Sequence, residues 1–416
     1  MANVKQITSC RICNNKELIT IFDLGDLMIN CFVEEPGDHK GEAPLKLQRC
    51  SECDLIQLSH TVREEDLYTN YWYLSRLNKK IVDNLKSIVE DAQKECPLED
   101  DDIVIDIGAN DGTLLSFYPE NVITVGVDPA KNIHAELKEN CSIMIPGFFN
   151  YRNYMNEMPN ISLTGPNSFH ASTRQAKIIT AVAMFYDLDD PNEFVQDIKK
   201  ILQDDGIFLC QLMPARPMID ANDIGNIIHE HLEYYTYKSL VNLFEPNGLE
   251  IYDVRENDIN GGSYQLFIRH YQNGSIEYPE DCSDERIERW INIMKCNKID
   301  TMNYLHTLKE QGKNVYIMGA STKGNTIMQY YGIDDTIIKG AAEIHPDKIG
   351  KYLVGSGIPI VHEDDAKKDA DAFLVFPFHF KELFVNKIMK DWIAEGGQLI
   401  FCTPKFEVIS NENTFQ

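Results

Sequence analysis

Six residues that can do chemistry or anchor a ligand crowd into nine positions of the stretch "NIIHEHLEYYTYKSL": His229, Glu230, His231, Tyr234, Tyr235 and Tyr237. Three readings of them are open. Two imidazoles one residue apart can ligate a metal, but no third ligand stands nearby in the sequence. A carboxylate next to an imidazole can move a proton near neutral pH, with His231 as the base and Glu230 orienting it or tuning its pKa. Tyrosines at this spacing can also simply pack one face of an element and wet the other. His229 is expected to point away from whatever His231 serves.

A second constellation is more specific. "CRIC" (Cys10, Cys13) and "CSEC" (Cys50, Cys53) are two CxxC pairs separated by 36 residues. Each pair can wrap two thiolates around one tetrahedral ion, and the chain between them is long enough to bring the pairs together. Four cysteines leave no open coordination position, so the expected zinc is structural. The other seven cysteines are scattered singly, which argues against a disulfide framework; Cys31, between the pairs, is expected in the core.

The elements that must carry these groups follow from length and pattern. A chain of 416 residues implies two large domains with room for a smaller module. The 43% apolar and 25% charged composition is that of a soluble protein, and no apolar run approaches the roughly 20 residues of a membrane span. The N-terminus "MANVKQITSCRIC" lacks a secretory apolar segment, and a cytoplasmic location is expected. With 65 acidic against 39 basic residues, the net charge of -26 repels a phosphate backbone, which leaves a small molecule as substrate and excludes nucleic acid and membrane as partners.

After the connecting stretch "EEDLYTNYWYLSRLN" and the helical pattern "KKIVDNLKSIVEDAQ" comes "DIVIDIGANDGTLLSFYP". Ile103 to Ile107 is continuously apolar, as in a buried parallel strand, and it ends in a turn that opens a helix. The turn, Gly108, Ala109, Asn110, Asp111 and Gly112, is GxxxG and not the GxGxxG that cradles a pyrophosphate. Further on, "TVGVDPA" predicts a second strand whose last residue, Asp128, is placed to accept both ribose hydroxyls of an adenosine. Together with Asp106 on the first strand, these residues form a candidate cofactor site. "KIITAVAMFYDLDDPNEFVQDIKKIL" and "DDGIFLCQLMP" continue the strand and helix alternation, so the stretch containing His231 follows the fifth strand at the carboxyl edge of the sheet.

The motif pair "DIGANDG" and "VGVDP" resembles class I S-adenosylmethionine (SAM) methyltransferases. Nearly end to end, through the CxxC pairs, "YWYLS", "DIGANDGTLL", "EHLEYY", "GGSYQLFIR", "GASTKGNTIMQYYGI" and "HPDKIGKYLVGSGIPI", the chain is similar to sugar C-methyltransferases that methylate C3 of a nucleotide-linked 4-keto-deoxysugar. The resemblance implies an α/β architecture in three parts: a zinc module over residues 1–72, a Rossmann-like SAM domain over 73–283, and a second Rossmann-like domain over 284–416 that binds the nucleotide sugar. It implies SAM as cofactor and assigns Glu230, His231 and Tyr73 to catalysis. One departure stands out. The family commonly has a tyrosine two residues before the glutamate, and Ile228 is there instead. Either Tyr73 carries that tyrosine's role or the substrate differs.

In the C-terminal part, "KNVYIMGASTKGNTIMQYYG" is another apolar strand, glycine turn and helix, with Gly319, Ser321, Thr322, Lys323 and Gly324 at the turn. Backbone amides at the helix start and the Lys323 ammonium can hold a diphosphate. A second SAM site is disfavoured, Glu343 being the weak candidate for its ribose acid. A purely packing role for the turn, an O- or N-methyltransferase, and a catalytically silent binding protein are the competing readings. A monomer is plausible.

Overall fold

The run Ile103–Ile107 has every residue buried, so it must lie inside a sheet covered on both faces. The computed structural model, which describes residues 4–29, 31–68, 73–158, 174–280 and 282–412, places it there as β1. The sheet adds β2 (Ile123–Asp128), β3 (Ile143–Pro146), β4 (Ala176–Val182), β5 (Leu202–Leu212), β6 (Leu249–Asn257) and β7 (Ser263–His270). Its order is β6-β7-β5-β4-β1-β2-β3, parallel except for β7, which runs antiparallel to both β5 and β6. Chain direction across the sheet reverses between β1 and β4. A crevice therefore opens at their carboxyl ends, where doubly wound folds bind ligands.

The C-terminal sheet repeats this logic with β8 (Val315–Met318), β9 (Gly340–Glu343), β10 (Ile360–His362), β11 (Ala372–Val375), β12 (Gln398–Phe401) and β13 (Glu407–Ile409). The order is β10-β9-β8-β11-β12-β13, with only β13 antiparallel. The 27-residue helix Asp284–Glu310 leads into β8 and buries Ile287, Trp290, Met294, Leu305 and Leu308.

The N-terminal sheet is small. Strands Leu18–Met28, Glu42–Cys50 and Ile56–Leu58 pair antiparallel, and its fourth strand comes from far away in the sequence: Glu233–Tyr234, with Glu233 opposite Gln57 and Tyr234 opposite Ile56. A short pairing of Phe32–Val33 with Tyr352–Leu353 ties the same module to the C-terminal part. One apolar core accordingly runs from Phe22, Leu45 and Ile56 through Ile227 and Leu232 to Trp290, Leu305 and Ile317. Among the described residues, no helix is long and apolar enough to cross a membrane. Tyr71 and Trp72 of "YWYLS" lie outside the described residues.

Candidate active site and zinc centre

The four thiols of the CxxC pairs converge. Their sulfur atoms all lie within 4.8 Å of one another, with Cys10 3.6 Å from Cys53 and Cys13 3.5 Å from Cys50. Cys10, Cys50 and Cys53 are buried and none is in a disulfide. Such a closed set of soft ligands fits a tetrahedral zinc and leaves it no position for substrate. Cys31 is buried against Val33 and Val354, as expected of a core residue.

Between the two knuckle cysteines, Arg11 points inward. Its guanidinium donates to the Leu58 carbonyl at 2.8 Å and to Thr61 Oγ1 at 2.8 Å, while Nε stands 3.4 Å from the buried carboxylate of Glu233. The knuckle and the histidine-rich stretch are thus joined by both a strand pairing and a buried ion pair.

A cleft of about 540 Å³ opens at the carboxyl ends of β1 and β4, and all three parts of the chain line it. Of the candidate cofactor residues, Asp106, Gly108, Asn110 and Asp128 are on its wall. Gly108 has φ +72°, and a Cβ there would come 3.0 Å from Met184 Cγ, so only glycine keeps the turn open. Each oxygen of Asp128 accepts one backbone N–H at 2.8 Å, from Asn110 and from Ala130, which aims the carboxylate at the cleft. Burial raises its pKa, and these two bonds work against that rise. Asp106 accepts from Thr180 Oγ1 at 2.6 Å, and burial pushes its pKa up to about 7.

Asn110 has a further job, since its side chain accepts from Ser75 N at 3.0 Å and donates to the Tyr73 carbonyl at 3.0 Å. It clips the segment bearing Tyr73 to the turn. Asp111 and Gly112 do not line the cleft. The Asp111 carboxylate is occupied by Thr113 and by Arg76, and Gly112 backs onto Leu137 and Asn140.

The stretch from Asn226 to Leu240 is not a helix before Tyr237. Thr236 caps the helix Tyr237–Phe244 in a capping box with Ser239, so the residues ahead of it run as a loop and the short strand Glu233–Tyr234. That geometry separates the two histidines. His229 is turned to the zinc module and bonds the Ala43 carbonyl through Nε2 at 3.0 Å. His231 lines the cleft, where Nδ1 lies 2.9 Å from the Asn226 carbonyl and the Tyr186 ring meets the imidazole edge-on at 4.4 Å. A carbonyl only accepts, so Nδ1 carries the proton and Nε2 keeps a free lone pair. Burial, followed by the field of Lys323, lowers the His231 pKa to about 3, and the ring is neutral. Glu230 also lines the cleft; its Oε2 has no hydrogen-bond partner among the described residues, and burial pushes its pKa up to about 7. Tyr234, Tyr235 and Tyr237 are buried packing residues.

Tyr73 and Ile228 line the same cleft. Tyr73 is 45% exposed, with its ring against the cleft wall; partial desolvation there and the Asp111 charge raise its phenol to about 12, so it stays a hydrogen-bond donor. From the C-terminal sheet, Ser321, Thr322 and Lys323 reach the wall, whereas Gly319 and Gly324 do not. Ser321 caps the helix Thr322–Tyr331, and a Cβ on Gly324 would lie 2.7 Å from the Phe376 ring. Lys323 Nζ bonds the Asn226 side-chain oxygen. Glu343 spends its carboxylate on the backbone N–H groups of Ala320, Ile344 and His345 and on Lys348, which leaves no ribose acid at that strand end.

Sequence reasoning passed over Tyr68, Tyr186, Asp187, His345 and Lys348, all on the cleft wall. Tyr186 and Asp187 come just after β4, and His345 and Lys348 just after β9. The rule that ligands sit at the carboxyl ends of parallel strands would have found these four. Tyr68, whose hydroxyl donates to the Glu230 carbonyl at 2.9 Å, carries no such signal.

Comparison with known proteins covers the chain in three segments. Family profiles match residues 10–68 (zinc binding domain), 73–254 (methyltransferase domain) and 258–404 (C-methyltransferase C-terminal domain). The C-methyltransferase NovU of Streptomyces niveus is 25% identical over 431 residues, spanning 99% of each chain. Among solved structures, a SAM-dependent methyltransferase from Clostridium acetobutylicum aligns with 46% of this chain and 92% of its own at 12% identity and a TM-score of 0.34. The CcbJ methyltransferase from Streptomyces caelestis aligns with 49% of this chain and 100% of its own at 12% identity and a TM-score of 0.33.

Proposed function

We propose that the chain is a SAM-dependent C-methyltransferase, as its family matches and the similarity to NovU support, and that it removes a proton from C3 of a nucleotide-linked 4-keto-deoxysugar and methylates the carbanion so formed. When bound, SAM supplies an electrophilic methyl group. Asp106, Gly108, Asn110 and Asp128 are the residues that hold it, since the aimed carboxylate and the open glycine turn fit an adenosine and its sugar.

The observation that carries the reading is His231. With Nδ1–H spent on the Asn226 carbonyl, Nε2 is an unprotonated base in a cleft shared by the Asp128 turn and the Lys323 turn. A carbon beside a ketone becomes nucleophilic only on losing its proton, which passes to Nε2 while the C–H electron pair moves onto the ketone oxygen. That oxygen then needs a donor. The Tyr73 hydroxyl serves, being protonated throughout the neutral range. Glu230, its pKa pushed up to about 7 by burial and one oxygen left without a partner among the described residues, relays protons beside the base. Lys323, Lys348 and His345 face the diphosphate across the cleft. The apolar Ile228 packs against the deoxygenated part of the sugar ring.

The test is proton exchange. The enzyme should wash deuterium from solvent into C3 of the sugar when SAM or its demethylated product is present. His231→Ala should keep ligand affinity yet lose about 10²–10⁴ in both exchange and turnover, the usual worth of a positioned base. His229→Ala should do far less. Normal turnover in His231→Ala together with its loss in His229→Ala overturns the proposal.

A further inference from the structure

Lys323 and His231 belong to different parts of the chain, yet both end on Asn226. The Lys323 ammonium bonds the side-chain oxygen of Asn226, and the His231 Nδ1–H bonds its backbone carbonyl at 2.9 Å. Asn226 is buried, and its carbonyl also accepts the Tyr234 hydroxyl at 3.1 Å, so this residue cannot shift without disturbing both partners. We propose that Lys323 is a positioning residue that senses the anionic end of the substrate and, through Asn226, sets the strength of His231 as a base. The inference rests on the reading of His231 as base and of the Lys323 turn as the diphosphate site.

The physical chain is short. With the cleft empty, the Lys323 charge lies two hydrogen bonds from the imidazole and disfavours its protonated form. A base whose conjugate acid is destabilised is a weak base. A diphosphate settling on Lys323 cancels that field and draws the ammonium off the Asn226 side chain, so the imidazole gains proton affinity when the substrate is seated. Sugars without the anionic handle leave the base weak. Selectivity for the nucleotide-linked form is then exerted on the proton-transfer step as well as on binding.

Other charged and titratable groups frame the same space. Glu230 precedes His231 on its own loop, and Tyr186 packs on the ring. Asp187, Tyr68, Glu64, Lys40, His345 and Lys348 line the cleft wall. Asp223 faces Lys323 and favours its charged form, while burial disfavours it. None of these other groups shares Asn226 with His231, apart from Tyr234 already named. Removing Lys323 should therefore erase the response to an anion while leaving the rest of the frame in place.

The experiment is a histidine titration by nitrogen-15 NMR between pH 4 and 8, with the His231 signals assigned by their loss in His231→Gln and inorganic pyrophosphate as the anion. Free wild-type protein should show His231 as the neutral Nδ1–H tautomer across the whole window. Pyrophosphate should bring its midpoint up by about 1–2 pH units and into the window, the effect of cancelling one unit charge at this range. Lys323→Met should show a raised midpoint without pyrophosphate and no further change with it; Lys323→Arg should respond like wild type. A midpoint that ignores bound pyrophosphate, one that responds equally in Lys323→Met, or a failure of pyrophosphate to bind overturns the coupling. The titration needs no sugar. Loss of C3 exchange in His231→Ala without the pyrophosphate response would leave the proposed reaction standing and sink only this inference.

Discussion

Arg11→Met tests whether the zinc knuckle holds the catalytic stretch in place. The wild-type side chain is 2% exposed, and Glu233, 3.4 Å from its Nε, is fully buried. Methionine roughly fills the space but removes the charge, the 2.8 Å bonds to the Leu58 carbonyl and Thr61, and the only basic group in ion-pair contact with Glu233 among the described residues. Breaking one side of a buried ion pair typically costs about 3–5 kcal/mol, because the carboxyl left behind must stay charged without compensation or take up a proton, the direction in which burial already pushes Glu233 against the pull of Arg11. For a domain of this size that is a fall in Tm on the order of 10 °C. Adding Glu233→Gln should recover at least about half of the loss, because the orphaned charge is then gone. Glu233 pairs with Gln57 in the strand that follows His231 by one residue. Turnover should therefore fall in Arg11→Met even at a temperature where the protein stays folded and retains its zinc. Differential scanning calorimetry and metal analysis on the single and double variants give the answer. A Tm within about 1 °C of wild type, or a double variant no more stable than Arg11→Met, refutes the reasoning.

Three further outcomes are expected. Protein purified without added metal should contain one zinc per chain, and a strong chelator should unfold the N-terminal sheet and, through the Glu233–Tyr234 strand, abolish activity; an active metal-free protein would contradict this. Asp128→Ala should bind SAM at least about tenfold more weakly by calorimetry, since charge-assisted hydrogen bonds worth about 1.5–3 kcal/mol each are lost, and unchanged affinity would move the site elsewhere. Asp106 has a folded pKa raised to about 7, so its contribution is most favourable below the unfolded value near 4 and is lost as pH rises toward 7. Asp106→Asn, which keeps an acceptor for Thr180, should therefore flatten the fall in stability between about pH 4 and 7 in urea denaturation; an unaltered pH dependence would count against it.

The cofactor end of this protein could be read from the chain because it is local. Ile103–Ile107 is apolar throughout, the turn that follows needs a glycine at Gly108, and Asp128 ends the neighbouring strand; each signal lies within a few residues of the atoms it positions. The same holds for the thiols, since each CxxC pair already fixes half of the one tetrahedron. The strand β8 was likewise legible from its apolar run and the glycine turn after it. Asp111 and Gly112 show where local reasoning overreached, for the turn has an inner and an outer side that the motif does not distinguish.

What the chain could not reveal is which side chains separated by long stretches meet. Nothing around "HEHLEYY" says that Glu233–Tyr234 completes a sheet begun at Leu18, or that this pairing, with the cap at Thr236, turns His229 toward Ala43 and leaves His231 on the cleft. Nothing around "GASTKGN" says that Lys323 ends on Asn226, 97 residues earlier. Spacing determines what a segment can do alone: bury a strand, turn at a glycine, wrap an ion. Orientation of a polar side chain in a loop is decided by whichever distant donor or acceptor satisfies it when water is excluded, and that partner exists only once the three parts share one core.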